Sequence, residues 1–100
     1  MQEMKFYIDT HDQRSNTFPA EISKEQFQEF FGQYEKASRD EGVVVLRAHV
    51  GLEAGRAYCF NMAPSAEHVR RAHEHAGLAF ESITEVATAT PGDLSFQSKA

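Results

Sequence analysis

Cysteine and tryptophan are nearly absent from this sequence: Cys59 is the one cysteine, and tryptophan does not occur. A single cysteine excludes a disulfide within the chain, so its thiol is free for packing, for a metal or for another molecule. Basic residues are also few, with 10 Lys and Arg against 15 Asp and Glu and a net charge of −5 with His neutral. They are scattered along the chain. A nucleic-acid partner is therefore not expected, because phosphate binding needs a basic patch.

Long apolar runs are missing as well. No apolar stretch approaches the roughly 20 residues that span a bilayer, and Met1–Lys5 lacks the basic start and apolar run of a signal peptide. We therefore expect no membrane association and a cytoplasmic location. The length of 100 residues and the 41% hydrophobic content fit one globular domain. We assign that domain to residues 1–88 and a C-terminal tail to residues 89–100.

Hydrophobic periodicity predicts six elements in the order β-α-β-β-α-β. Alternating apolar residues predict a strand over Met4–Asp9, followed by a loop over Thr10–Ala20. The S-x-x-Q pattern from Ser23 predicts a helix start, and Gly42 a helix end. The core-facing stripe of that helix is predicted at Phe27, Phe30, Phe31 and Tyr34. The later elements are strands at Val43–Val50 and Arg56–Met62, a helix at Ala66–Ala76 and a strand at Ile83–Ala87.

This element order predicts an α+β, ferredoxin-like sandwich. Its four-stranded antiparallel sheet has the strand order 4-1-3-2, and two helices cover one face. The other face is left open, and by analogy with similar small sheets we expect a homodimer through it. The tail is expected to be disordered or to dock on a partner subunit through Leu94 and Phe96.

The predicted topology brings candidate metal ligands to one end of the sheet. Asp9 and His11 end the first strand, and Cys59 begins its antiparallel neighbour. The second helix runs back to the same edge, where its last turn carries His73. Zinc, nickel and copper prefer imidazole and thiolate, whereas magnesium and calcium prefer oxygen ligands. The residues alone leave open which face Cys59 points to, and whether Cys59 and His73 are merely buried core residues.

Six segments of the sequence carry a family resemblance, in this order along the chain: FYIDTH from Phe6, EGV from Glu41, AGRAYCF from Ala54, APSAE from Ala63, HEHAG from His73 and ITEV from Ile83. Over roughly Lys5–Val86 the chain resembles small bacterial nickel-binding proteins of ferredoxin-like fold, a domain of otherwise unknown function. The resemblance implies a dimer that binds nickel, or another divalent transition metal such as zinc or copper. It also implies His11, Cys59 and His73 as ligands, with Asp9 and Tyr7 as neighbours.

Two main function classes follow from these observations. The first is a metal-binding protein without turnover, for nickel sequestration or sensing. The alternative is a dimeric small-molecule-binding module or a small cofactor-free enzyme, with Tyr7, Asp9, His11 and His73 around a pocket between sheet and helices. A third interpretation is an interaction domain that acts through its open sheet face and tail. The sequence offers no series of nucleophile, base and orienting group from which a reaction could be named, and of the classes we favour the protein without turnover.

Overall fold

The computed structural model describes residues 3–97 and residue 99, apart from the side chains of residues 93–97. Its main elements are β1 (Lys5–Asp12), α1 (Lys24–Asp40), β2 (Val44–Gly51), β3 (Arg56–Ala63), α2 (Ala66–Ala76) and β4 (Ser82–Val86). The four strands form an antiparallel sheet in the order β2-β3-β1-β4. This is the predicted order 4-1-3-2 read from the other edge, so the ferredoxin-like α+β fold is confirmed. Among the described residues, no helix is long and apolar enough to cross a membrane.

The sequence signals at the helix ends act as predicted. Ser23 Oγ accepts a hydrogen bond from the Gln26 backbone N–H, and Gln26 Oε1 accepts one from the Ser23 N–H, which completes the capping box of α1. Helix α2 ends at Gly77, whose left-handed φ of +71° is unfavourable for other residues. There the chain turns back, and the Leu78 N–H donates to the carbonyl of His73 at 2.9 Å. This turn ties down the last part of α2, where His73 lies.

Strand β1 is longer than predicted, because the residues from Thr10 to Asp12 continue the strand instead of starting a loop. Strand β3 pairs with β1 along the whole length of β1: His11 pairs with Ala57, and Asp12 pairs with Arg56. Asp12 then caps a short 3₁₀ helix, Gln13–Ser15. The added pairing places His11 within the sheet, so its side chain has a fixed direction.

The core lies between the sheet and the helices. Its buried residues come from β1, α1, the residue before β2, β3 and α2, and they are Tyr7, Tyr34, Val43, Cys59, Ala63, Val69 and Ala72. Tyr34 is buried, as the stripe on α1 predicted, and Phe27 and Phe31 are half-buried. The prediction is wrong for Phe30, which is 38% exposed. The rings at the start of α1 border a cavity instead of closing onto the sheet.

A β-hairpin follows the sandwich. Strand β5 (Thr88–Thr90) pairs antiparallel with β6 (Asp93–Gln97), and Gly92 between them has φ +86°. These two strands differ from the predicted tail, although β-branched residues beside a Pro-Gly turn favour a hairpin. The side chains of Leu94 and Phe96 lie outside the described residues, so docking of the tail on a partner subunit stays a prediction.

Candidate metal centre

Strands β1 and β3 place the candidate residues on one face of the sheet. Asp9 lies directly opposite Cys59, and Tyr7 lies opposite Asn61. All four side chains are buried on the side that the helices cover. The question that the sequence left open is therefore answered, because Cys59 points towards the helices and into the neighbourhood of Asp9.

Two histidine side chains meet at Asp9, one from β1 and one from the end of α2. His11 Nε2 lies 2.7 Å from Asp9 Oδ1, and His73 Nε2 reaches the same oxygen at 3.1 Å from the last turn of α2. One donor atom from each residue lies within 4.8 Å of the other two. Asp9 is fully buried and His73 nearly so, while the side chain of His11 is 11% exposed. The predicted chain path does bring Asp9, His11 and His73 together.

The backbone fixes the proton on one nitrogen of each histidine. His11 Nδ1 lies 2.7 Å from the carbonyl oxygen of Ala79, and His73 Nδ1 lies 2.8 Å from that of Val69. A carbonyl can only accept, so each Nδ1 must carry a hydrogen. In the neutral rings the Nε2 atoms are then bare acceptors, and both face Asp9 Oδ1. Metal-binding histidines typically show this arrangement, with the other ring nitrogen held by a carbonyl or a carboxylate.

These three acceptors repel one another unless a positive charge lies among them. Two ring nitrogens and a carboxylate oxygen bring lone pairs together in a buried space, where an uncompensated charge is costly. Either protons on Nε2 or a cation can relieve the repulsion. The centre therefore has two chemical states, one holding protons and one able to hold a metal ion.

The second oxygen of Asp9 is held by two residues that the sequence analysis did not assign to the site. Tyr34 donates its hydroxyl to Asp9 Oδ2 at 3.1 Å, and Asn61 donates its amide at 2.6 Å. Asn61 Oδ1 has no hydrogen-bond partner among the described residues, so the contact with Asp9 accounts for its orientation. A fully buried asparagine in an apolar strand was the signal that could have identified Asn61 from the sequence. The spacing of Tyr34 predicts only its core position and gives no partner for its hydroxyl.

The electrostatics of the site follow from this hydrogen bonding. Burial alone would raise the pKa of Asp9, but hydrogen bonds from His11 and His73 lower it overall, so the carboxylate is charged. Burial alone would lower the pKa of His11, but the Asp9 carboxylate raises it overall. Burial, together with the charge of Asp9, raises the pKa of Cys59, so this side chain is a thiol in the metal-free protein.

The remaining candidates take other positions. Cys59 and Tyr7 are core residues beside the centre and do not belong to the group of three donor atoms that lie within 4.8 Å of one another. Tyr7, Asp9, His11 and His73 were expected around a pocket, and of these four His11 borders the cavity next to α1. His75 is half-exposed and pairs with Glu41 at 3.1 Å on the surface, away from the centre.

The donor set and its spacing fit a divalent transition metal. With metal–ligand distances of about 2.1 Å, neighbouring ligands lie about 3.0 Å apart at right angles and about 3.4 Å apart in a tetrahedron. The observed separations of 2.7 and 3.1 Å from Asp9 Oδ1 are closer to the right-angle geometry. Two imidazoles and one carboxylate on one side of an ion leave further coordination positions for water or another ligand.

Comparisons with known proteins connect this geometry to a family. The family described as "Nickel responsive protein SCO4226-like" matches residues 7–86, a range that contains the whole centre. The crystal structure of SCO4226 from Streptomyces coelicolor A3(2) superposes with a TM-score of 0.74 and 28% sequence identity, over 85% of this chain and 99% of that one. Curated proteins give no significant match. The β5–β6 hairpin follows the residues that the family matches.

Proposed function

The chain belongs to the SCO4226-like family of nickel-responsive proteins, and from that premise we propose that it binds a divalent transition metal, nickel first, without catalytic turnover. The ligands are Nε2 of His11, Nε2 of His73 and Oδ1 of Asp9. The observation that carries the proposal is the pair of backbone carbonyls, at Ala79 and Val69, that hold both histidines with Nε2 towards one carboxylate oxygen.

Nickel suits the donor atoms of the centre. Imidazole nitrogen is a good ligand for nickel, copper and zinc, and divalent ions of this group prefer such mixed nitrogen and oxygen sites over all-oxygen sites. Nickel is placed first because the family that matches residues 7–86 is described as nickel-responsive. Cys59 as an added ligand and Tyr7 as a neighbour stay predictions of the sequence.

Binding would join elements that are distant in the chain. His11 belongs to β1, His73 to the end of α2, and Ala79 to the segment that leads into β4. An ion between the histidines would therefore fasten the end of α2 to the sheet. This favours a role in which the nickel-loaded and nickel-free proteins differ in rigidity, as a sensor or a storage protein requires.

Calorimetric titration with Ni²⁺ tests the proposal on reduced protein that has been purified without an affinity tag and stripped of metal. We expect one ion per chain at pH 8. The His73→Gln variant should weaken binding by about 100-fold or more, since even residues that only orient metal ligands contribute 10- to 100-fold. The matched control is His75→Gln, two residues along the same helix, where we expect no change. Weaker binding in His75→Gln, with none lost in His73→Gln, would instead place the ion at the surface near Glu41.

We also propose a homodimer formed through the sheet face that the helices leave open. Phe6 and Phe60 stack there with their rings 5.3 Å apart, and both are largely buried. Val44, which pairs with Met62 on the same face, is 44% exposed, and Tyr58 is 39% exposed. A dimer through this face would remove the Val44 and Tyr58 side chains from water, which favours association.

Sedimentation equilibrium tests the dimer. The Val44→Asp variant adds a charge to the open face and should convert a dimer to a monomer. The control is Glu53→Gln, a charge change in the turn between β2 and β3, which should leave the mass unchanged. A wild-type protein that sediments as a monomer at about 100 μM would contradict the proposal, because stable interfaces have dissociation constants well below this value.

A further inference from the structure

A cavity of about 330 Å³ lies between the start of α1 and the sheet. Its walls are the rings of Phe18, Phe27, Phe30 and Phe31, and its inner end is formed by Tyr34 and Cys59. The rings of Phe27 and Phe31 stack at 5.9 Å, and Phe18 lies 6.3 Å from Phe27. Phe30 is 38% exposed, so the cavity reaches solvent. Protein interiors are normally close-packed, with few spaces larger than a water molecule. A cavity of this size therefore suggests a binding site.

The lining of the cavity shows which kind of molecule it suits. Its described lining residues include no Lys, Arg, Asp or Glu. The polar atoms at the inner end are already bonded, since His11 is held by Asp9 and Ala79 and the Tyr34 hydroxyl is held by Asp9. A charged molecule would lose its hydration without finding a partner there. Asn16 is exposed on the lining, where its amide can bond a single polar group.

We propose that this cavity binds a small, uncharged aromatic molecule of about two fused rings that carries one polar substituent. A cavity of about 150 Å³ is large enough for benzene, so a volume of about 330 Å³ has room for a second ring. Aromatic walls favour a flat aromatic guest, because stacked and edge-on ring pairs gain energy beyond simple burial.

The cavity and the metal centre share a wall but are separate sites. His11 and Cys59 both border the cavity, and both also adjoin Asp9: His11 is hydrogen-bonded to it, and Cys59 lies opposite it in the sheet. Among the three proposed ligands, Asp9 and His73 do not line the cavity. The aromatic site exists without any ion, so binding can be measured on metal-free protein, and its failure would not count against nickel binding.

Titration of metal-free protein with 2-naphthol, followed by ¹H–¹⁵N correlation NMR, tests the proposal. We expect saturable binding below about 1 mM, the range for a ligand of about eleven heavy atoms. The shifted amides should lie in residues 16–31 and 77–79. The anion 2-naphthoate should bind at least tenfold more weakly than 2-naphthol.

Two matched variants locate the site. Phe30→Ala removes a wall residue that is 38% exposed, and Leu46→Ala removes an apolar side chain of β2 that is 41% exposed and does not line the cavity. Both spectra should stay those of a folded protein, because neither side chain is fully buried. We expect Phe30→Ala to weaken binding at least fivefold and Leu46→Ala to leave it unchanged. No saturable binding, equal effects of the two variants, or shifts confined to the open sheet face would overturn the proposal.

Discussion

Replacement of Asp9 by Asn separates the metal centre from the fold. The asparagine oxygen can still accept from Tyr34 and Asn61, as the carboxylate does now. Its amide can donate to a neutral Nε2 of His11 or His73, an arrangement that needs no added proton. We therefore expect the variant to fold, with its histidines neutral, while the centre loses its carboxylate ligand.

The magnitude of the effect can be worked out from binding equilibria. A ligand present at 100 times its dissociation constant stabilises the folded state by about 2.7 kcal/mol. For a domain of this size, each kcal/mol moves Tm by about 4–8 °C, so nickel should raise the wild-type Tm by about 10–20 °C. If the variant binds about 100-fold more weakly, the same nickel concentration equals its dissociation constant. The stabilisation is then about 0.4 kcal/mol, or about 2–3 °C.

Thermal unfolding followed by circular dichroism, with EDTA or with Ni²⁺, measures this difference. The matched control is Asp40→Asn, which removes the same charge from a surface carboxylate 61% exposed and near His75. The control should keep the whole nickel-induced increase in Tm. A full increase in the Asp9→Asn variant would refute the reasoning, since the proposed ion would then be held without its carboxylate.

Further predictions concern protons and the residues around the carboxylate. The pKa of His11 is raised above its usual 6.5. Its pairing with Asp9 therefore stabilises the metal-free protein below pH 6.5, and this stabilisation is lost as the pH rises through the higher pKa of the folded state. Nickel binding should instead strengthen over that pH interval and release protons, which calorimetry in buffers of different ionisation enthalpy can show. Tyr34→Phe should weaken nickel binding about tenfold and lower stability by about 1 kcal/mol, measured by titration and urea unfolding. Cys59→Ser should weaken nickel binding less than tenfold, and a sulfur-to-nickel charge-transfer band in wild-type protein would contradict that expectation.

The fold and part of the centre could be predicted because they depend on chain path. The order of strands and helices alone places the end of β1, the start of β3 and the end of α2 at one edge. Asp9, His11 and His73 meet there for that reason. Cys59 is placed by the same path, and the structure adds that its side chain points to the helices.

What could not be predicted depends on individual side-chain directions and on local backbone. The backbone carbonyls of Val69 and Ala79 fix the orientation of the two histidine rings. Because every residue has a carbonyl, the residue types at these positions do not predict the two hydrogen bonds. Phe30 fits the helical stripe of α1 but points to a cavity edge, because spacing gives the helix face and not the distance to the next layer. The predicted end of β1 at Asp9 is too early, because the partner strand determines how far the pairing of β1 extends.

The central claim is that one ion lies among His11, His73 and Asp9, and anomalous diffraction at the nickel absorption edge tests it most directly. Crystals of metal-free protein soaked with Ni²⁺ should show a peak about 2.0–2.2 Å from both Nε2 atoms and from a carboxylate oxygen of Asp9. The Nδ1 atoms should still face the carbonyls of Val69 and Ala79. A strong peak beside His75 and Glu41, with none at Asp9, would contradict the account.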